Sequence, residues 1–172
     1  DESPAATITG VSVAAGSSTL LVNGIDTAGT GDAGRIMSVL PDTFLEAPRS
    51  SLVICFGAGN TFRTASRLAG GDPTRRVDAV DLVADIPRRM PSYYPDAAEH
   101  LGAPGRRVFI EDGRQFLLRA KSRWDSIIVD ASPPLFSAGT VNLYTREFFA
   151  LARGRLTPEG IFALWLPVSS FE

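Results

Sequence analysis

The sequence predicts an α/β fold: a parallel sheet with helices on both faces, preceded by a small β-hairpin. Three observations carry this. From Ser51 onward, apolar runs of strand length alternate with amphipathic segments of helix length, and such alternation implies parallel strands joined by crossover helices. Residues before Asn23 instead alternate with period two about a turn, the mark of a hairpin. A chain of 172 residues, 44% hydrophobic and 21% charged, buries one substantial core and leaves at most a small appendage beside it.

Taken in order, ATITGVSVA and STLLVN flank a turn at Ala15-Gly16-Ser17 and form the hairpin. The polar, glycine-rich stretch NGIDTAGTGDAG is then expected as a loop. Asp32 is expected to cap a short helix through Arg35, Ile36, Met37, Val39 and Leu40 that ends near Pro41. Beyond it SLVICF reads as strand, NTFRTASRLA as helix, RVDAVDL as strand and ADIPRRM as a short helix broken near Pro91. RRVFIE is strand, GRQFLLRAKS helix, WDSIIVD strand, TREFFALARGRL helix and GIFALWLP strand. This divides the chain into a hairpin-and-helix unit, residues 1–46, and an α/β domain, residues 47–172.

Composition removes several function classes. A net charge of −2 with both signs scattered offers no basic face for phosphate backbones, so nucleic acid is not expected as a partner. The longest apolar stretches, such as Ile161 to Val168, fall well short of the ~20 residues of a membrane helix, and a soluble, cytoplasmic domain is expected. Cys55 is the single cysteine and His100 the single histidine, which argues against a disulfide, a thiolate metal cluster, zinc chemistry and a Ser-His-Asp triad. Cys55 is expected as a small core residue within a strand. His100, beside Glu99 in a polar helix end, is expected in solvent.

In a parallel sheet of this kind, ligands bind at the carboxyl ends of the strands, where strand order reverses. The residues falling there are Gly57-Ala58-Gly59-Asn60 after the first parallel strand, Asp81 after the second, Glu111-Asp112-Gly113 after the third and Asp130 after the fourth. Small residues let backbone N–H groups approach a ligand at a helix N-terminus. An acid ~20 residues beyond such glycines is where ribose hydroxyls are held. Each feature taken singly has a plainer reading: the glycines as a tight turn, and Asp81, Asp112 or Asp130 as a helix cap. Phe62 stands where a dinucleotide loop would carry its third glycine, and no arginine or lysine lies in the loop for a pyrophosphate. An uncharged nucleoside fits better, such as the adenosyl part of S-adenosylmethionine or a relative, whose sulfonium charge acidic loop ends would favour.

The segments LLVNGI, VICFGAGNTFR, VDAVDL, IEDGRQFL and WDSIIVDASPP, with NLYTREFFALARGRLTPEGIFALWLP after them, together resemble the polyamine aminopropyltransferases, the spermidine and spermine synthases. The resemblance covers most of the chain from about residue 18, and its most specific part is an aspartate ending a strand, a proline loop and an L-Y-x-x-E-F helix start. It implies a methyltransferase-like Rossmann fold behind a small β domain, with decarboxylated S-adenosylmethionine as donor, a small-molecule amine as acceptor and no metal. Residue by residue, it implies that Gly57 and Gly59 form the cofactor loop and that Asp81 holds the ribose hydroxyls. Asp112 with Gly113 would read the adenine amino edge, and Asp130 would take a proton from the attacking amine. Tyr144 matches an aromatic or apolar position near the mouth of the crevice, where core packing is an equal alternative.

The sequence also departs from that pattern. Where the family carries an aspartate between the loop glycines there is Ala58, and where its proline loop carries a second acid there is Pro133. IDTAGTGDAGRIM has no clear counterpart of the glutamine and tyrosine that line the amine channel, although Asp26 or Asp32 could replace a carboxylate there. The family fold normally continues past the fifth strand, whereas this chain stops at VSSFE. The expectation is therefore a portion of a longer protein, or lost elements replaced by a homodimer partner or another segment that covers the sheet edge. The proline after the aspartate resembles bacterial members fused to transmembrane segments, so a membrane-tethered full-length protein is a further expectation. Three functions stand: aminopropyl transfer with Asp130 as base, methyl transfer from S-adenosylmethionine, and a non-catalytic nucleoside-binding or interaction domain.

Overall fold

The computed structural model describes residues 7–14, 17–131 and 138–166. The Ala15-Gly16 turn, Pro133 with its loop, and the VSSFE end therefore lie outside the described residues.

The expected hairpin forms from β1 (Ile8–Ala14) and β2 (Ser17–Val22), and a third antiparallel strand, β3 (Ile25–Gly29), extends it in the order β1-β2-β3. The stretch expected as a glycine-rich loop is thus partly strand. Asn23 (φ 53°) and Gly24 (φ 79°) join the paired residues Val22 and Ile25. Two successive left-handed residues match a tight hairpin turn to the natural twist of its strands, and asparagine tolerates that conformation better than most residues.

Helix α1 (Asp32–Phe44) departs from expectation at both ends. Gly31 is its N-cap, and Asp32 sits in the first turn, where a negative charge meets the positive end of the helix dipole. Pro41 lies inside the helix rather than at its end. The proline forfeits one donor, but its carbonyl still accepts from Leu45 N at 3.2 Å and its ring is buried, so the helix continues.

The parallel sheet contains β4 (Ser50–Ile54), β5 (Arg76–Asp81), β6 (Arg106–Ile110), β7 (Trp124–Val129) and β8 (Leu156–Leu164) in the order β6-β5-β4-β7-β8. Helix α2 (Asn60–Ala69) follows β4. Between β5 and β6 run three short helices, α3 (Asp85–Arg88), α4 (Met90–Tyr93) and α5 (Ala97–Gly102). Pro91 opens α4 instead of breaking a helix, a position at which its missing N–H costs nothing. Helix α6 (Gly113–Arg119) follows β6, and α7 (Arg146–Arg155) leads directly into β8.

The strand period of two sorts side chains into two cores. Val53, Val77, Ala79 and Ile128 face α1 to α5 and the N-terminal sheet, whose Ile8 and Leu20 join that core. Leu52, Ile54, Val80, Ile127 and Val129 face α6 and α7 through Leu117, Phe148 and Ala152. α1 packs on α2, β7 and β8, so it covers the parallel sheet although the sequence groups it with the hairpin. From β4 the chain steps outward to β5 and β6, and from β7 it steps the opposite way to β8. The order therefore reverses between β4 and β7, which places a crevice at their carboxyl ends.

His100 is buried, contrary to the solvent position expected for it. Its Nδ1 lies 3.0 Å from Ser66 Oγ and its Nε2 3.2 Å from Asp96 Oδ2. Asp96 also takes a two-point grip from Arg63 at 2.8 and 2.7 Å, which holds its carboxyl down at about 2. Ser66 in turn accepts from the buried Arg106 guanidinium at 3.1 Å. The ring thus fastens α5 to α2; Asp96 lies one helical turn away, but Ser66 is far enough away in the chain that no local pattern announces it.

Candidate functional site

At the end of β4 the chain turns sharply into α2 through three left-handed residues, Cys55 (φ 69°), Gly57 (φ 54°) and Gly59 (φ 88°). Gly59 needs to be glycine on two grounds, since a Cβ there would also stand 2.9 Å from both Phe56 Cε1 and Met90 Cγ. Cys55 lies past the strand, half-buried on the cleft, and so is not the core strand residue expected. Burial, with Asp81, Asp130 and Asp112 behind it, pushes its thiol well above the ordinary value, which keeps it protonated and unreactive at neutral pH.

Asp81 ends β5 inside the crevice, 8% exposed. Its Oδ2 accepts from Phe56 N at 2.8 Å and its Oδ1 from Val83 N at 2.9 Å. These bonds, with further backbone donation from Gly57 and Leu82, tie the glycine turn to the neighbouring strand. Burial raises its pKa, and the backbone donors oppose the rise.

Asp112 is the N-cap of α6, accepting from Gln115 N at 2.9 Å, so the capping reading and the cleft position are both realised. Gly113 follows without a side chain, because a Cβ there would stand 2.5 Å from Ile54 Cγ2. Glu111 turns away and pairs with Arg119.

Asp130, one residue past β7, is anchored by its N–H to Ile54 O at 3.0 Å. Its Oδ2 accepts from the Thr61 hydroxyl at 2.5 Å. Burial raises its pKa, against which the Thr61 hydrogen bond acts. A half-buried carboxylate with a raised pKa suits a group that collects a proton from a substrate.

These residues line one cleft of about 200 Å³: Asp81, Asp112 and Asp130 supply its charge, with Cys55 and Gly57 at its floor. Leu20 and Val22 of β2, with Ile86 and Leu143, supply apolar wall. No lysine or arginine is among the described lining residues, so the cleft carries unbalanced negative charge suited to a cationic ligand.

The other expected positions fall elsewhere. The Tyr144 hydroxyl lies 3.0 Å from Ala131 O and 3.1 Å from Trp165 O, where its proton fastens the end of β7 to the end of β8. Asp32 pairs with Arg35 at 3.3 Å on the exposed side of α1. Asp26 belongs to β3, opposite Leu21, and its side chain lies outside the described residues. Ala58 is buried at the turn. Sequence reasoning missed Thr61, whose partner is distant in the chain, and the wall role of Leu20 and Val22, for which two apolar residues at the end of a strand were the only signal.

The spermine/spermidine synthase domain family model matches residues 33–165. A polyamine aminopropyltransferase of Clostridium perfringens is 34% identical over 113 residues, 66% of this chain and 38% of that protein. One from Pyrobaculum calidifontis is 36% identical over 120 residues, 66% of this chain and 40% of that protein. The crystal structure of spermidine synthase from Thermotoga maritima superposes with a TM-score of 0.68 at 21% identity, covering 86% of this chain and 49% of that one. The chain thus spans well under half the length of these two curated relatives.

Proposed function

Because the chain belongs to the spermine/spermidine synthase domain family, we propose that its cleft serves aminopropyl transfer from decarboxylated S-adenosylmethionine to an amine acceptor. The observation that carries this reading is the convergence of Asp81, Asp112 and Asp130 on one cleft with no lysine or arginine among its described lining residues. The curated relatives that match the chain are named for the same chemistry.

The donor, when bound, supplies a carbon made electrophilic by the adjoining sulfonium sulfur. The protein's residues then divide the work. Asp112 and Gly113 flank the adenine edge, and the Asp81 carboxylate accepts the ribose hydroxyls. Asp130 accepts a proton from the acceptor ammonium, which frees its lone pair. As the new carbon–nitrogen bond forms, the carbon–sulfur bond breaks and its electron pair stays on sulfur, leaving a neutral thioether and a secondary ammonium. The proton on Asp130 passes to solvent. Such proton transfer contributes about 10²- to 10⁴-fold. The apolar wall of Leu20, Val22 and Leu143 keeps water from competing for the charges.

The grip on the donor's aminopropyl ammonium should be weaker than in relatives with an aspartate between the loop glycines. With Ala58 at the turn no carboxylate stands there to grip an ammonium, and each such charged hydrogen bond is worth roughly 1.5–3 kcal/mol. Calorimetry with decarboxylated S-adenosylmethionine, S-adenosylmethionine and methylthioadenosine tests the reading. Selective binding of the decarboxylated donor is expected. Tighter binding of S-adenosylmethionine would turn the reading toward methyl transfer, and no binding of any of the three would overturn both.

A further inference from the structure

The carboxylate of Asp130 is not held by the strand that carries it. Among the described residues its side-chain hydrogen bond comes from Thr61 Oγ1 in the first turn of α2. Thr61 is fully buried, and a threonine within a helix ordinarily turns its hydroxyl to a carbonyl one turn back or to solvent. Here the hydroxyl has turned to the carboxylate instead.

Two residues of α1 set that arrangement from behind. Ser38 Oγ donates to Thr61 O at 2.8 Å, which fixes the backbone from which the hydroxyl springs. Gly34 faces the hydroxyl so closely that a Cβ on it would stand 2.6 Å from Thr61 Oγ1, closer than such atoms can approach. Gly34 lies inside a helix, where glycine is unfavourable relative to alanine, so the position keeps it for the space it leaves.

We propose that Thr61 is a positioning residue for Asp130, and that Gly34 and Ser38 of α1 hold its hydroxyl in register. A hydroxyl has one proton, and giving it to Oδ2 stops the carboxylate from rotating and leaves Oδ1 as the oxygen that receives the substrate's proton. The role rests on the reading of Asp130 as the base. The groups that face Asp130 from other elements are Cys55 past β4, Tyr94 between α4 and α5, and Tyr144 before α7, with Asp81 and Asp112 across the cleft. Burial raises the thiol and pushes both phenols up to about 12, so all three are uncharged at neutral pH and none offsets the cost of charging Asp130. The Thr61 hydrogen bond favours the charged form.

The test is a ¹³C NMR titration of the Asp130 side-chain carboxyl, which needs no substrate. In Thr61→Val the carboxyl should titrate at higher pH than in the parent protein, and Thr61→Ser should restore the parent behaviour. Gly34→Ala, which leaves Thr61 in place, should shift the titration in the same direction as Thr61→Val, and it serves if the valine variant fails to fold. Where turnover is measured, the acid limb of its pH profile should move upward in Thr61→Val and return in Thr61→Ser. An unmoved titration in Thr61→Val or Gly34→Ala overturns the proposal whatever the activity. A titration that moves while both Thr61→Val and Asp130→Asn turn over normally overturns the reading of Asp130 as the base and leaves the Thr61–Asp130 bond standing.

Discussion

The two ends of β7 each bear an aspartate, and the protein treats them oppositely. At the amino end, Asp125 accepts from Arg49 N at 2.8 Å, Ser50 N at 2.9 Å, Ser50 Oγ at 3.0 Å and Thr157 Oγ1 at 2.9 Å. Burial works against its charge, but these donors win and hold its carboxyl below the ordinary value. At the carboxyl end, Asp130 has the Thr61 hydroxyl, burial wins, and the carboxyl rises. β5 also carries two acids with unlike partners. The buried Asp78 meets Arg107 at 2.8 and 3.0 Å and Trp124 Nε1 at 2.9 Å, whereas Asp81 has backbone donors alone and is raised. Carboxylates at the amino ends are spent on joining strands, and those at the carboxyl ends keep capacity for a ligand.

Substitutions can break the contrast or sharpen it. The largest effect is expected for Asp130→Asn, which should lower turnover about 10²- to 10⁴-fold while nucleoside affinity by calorimetry stays near the parent value; normal turnover would place both ends of β7 in the structural class. Asp125→Ala should do the reverse, costing roughly 1.5–3 kcal/mol of stability in urea unfolding with nucleoside affinity preserved. Smaller still is Cys55→Gly. A non-glycine residue at φ 69° carries about 1–2 kcal/mol of strain, offset in part by the freedom glycine adds to the unfolded chain. A net gain of about 0.5–1 kcal/mol in thermal unfolding is therefore expected.

Acid should divide the two ends by sign. Asp125, lowered in the fold, contributes stability that is present above its unfolded value of about 3.9 and is lost as pH falls through its folded value. Asp130 and Asp81, raised in the fold, bind protons more tightly folded than unfolded, so they subtract stability as pH rises from about 3.9 through their folded values. As pH falls toward about 3.9, Asp130→Asn should lack the stabilising contribution that protonation of Asp130 makes in the parent, and Asp125→Asn should show a smaller loss below about pH 4. Identical pH profiles for the two variants would erase the distinction.

Much of this was legible because it is written locally. The parallel strands announce themselves as apolar runs, and an acid or glycine at the ends of the first four is visible without knowing the strand order. Features made by distant residues were not. Thr61 meets Asp130, and His100 meets Ser66, only once α2 is laid on the sheet. β3 is a different kind of omission: Asn23-Gly24 is a strong two-residue hairpin signal, but the glycines and threonines after it read as loop. The extent of α1 was misjudged because a proline inside a helix is costly in isolation, and the burial of its ring becomes apparent only against the rest of the protein.

Leu20 and Val22 close one side of the cleft from a sheet whose strand ladder is separate from that of the parallel strands. Among the described residues that sheet shares no strand pairing with the parallel strands, and Ile8 and Leu20, each 1% exposed, seat it on their core. Amide deuterium exchange should therefore be faster across β1 to β3 than across β4 and β7, and should slow in the small sheet when a nucleoside fills the cleft. Slower exchange at the Leu20 amide on nucleoside binding would then report how far the occupied cleft steadies the small sheet.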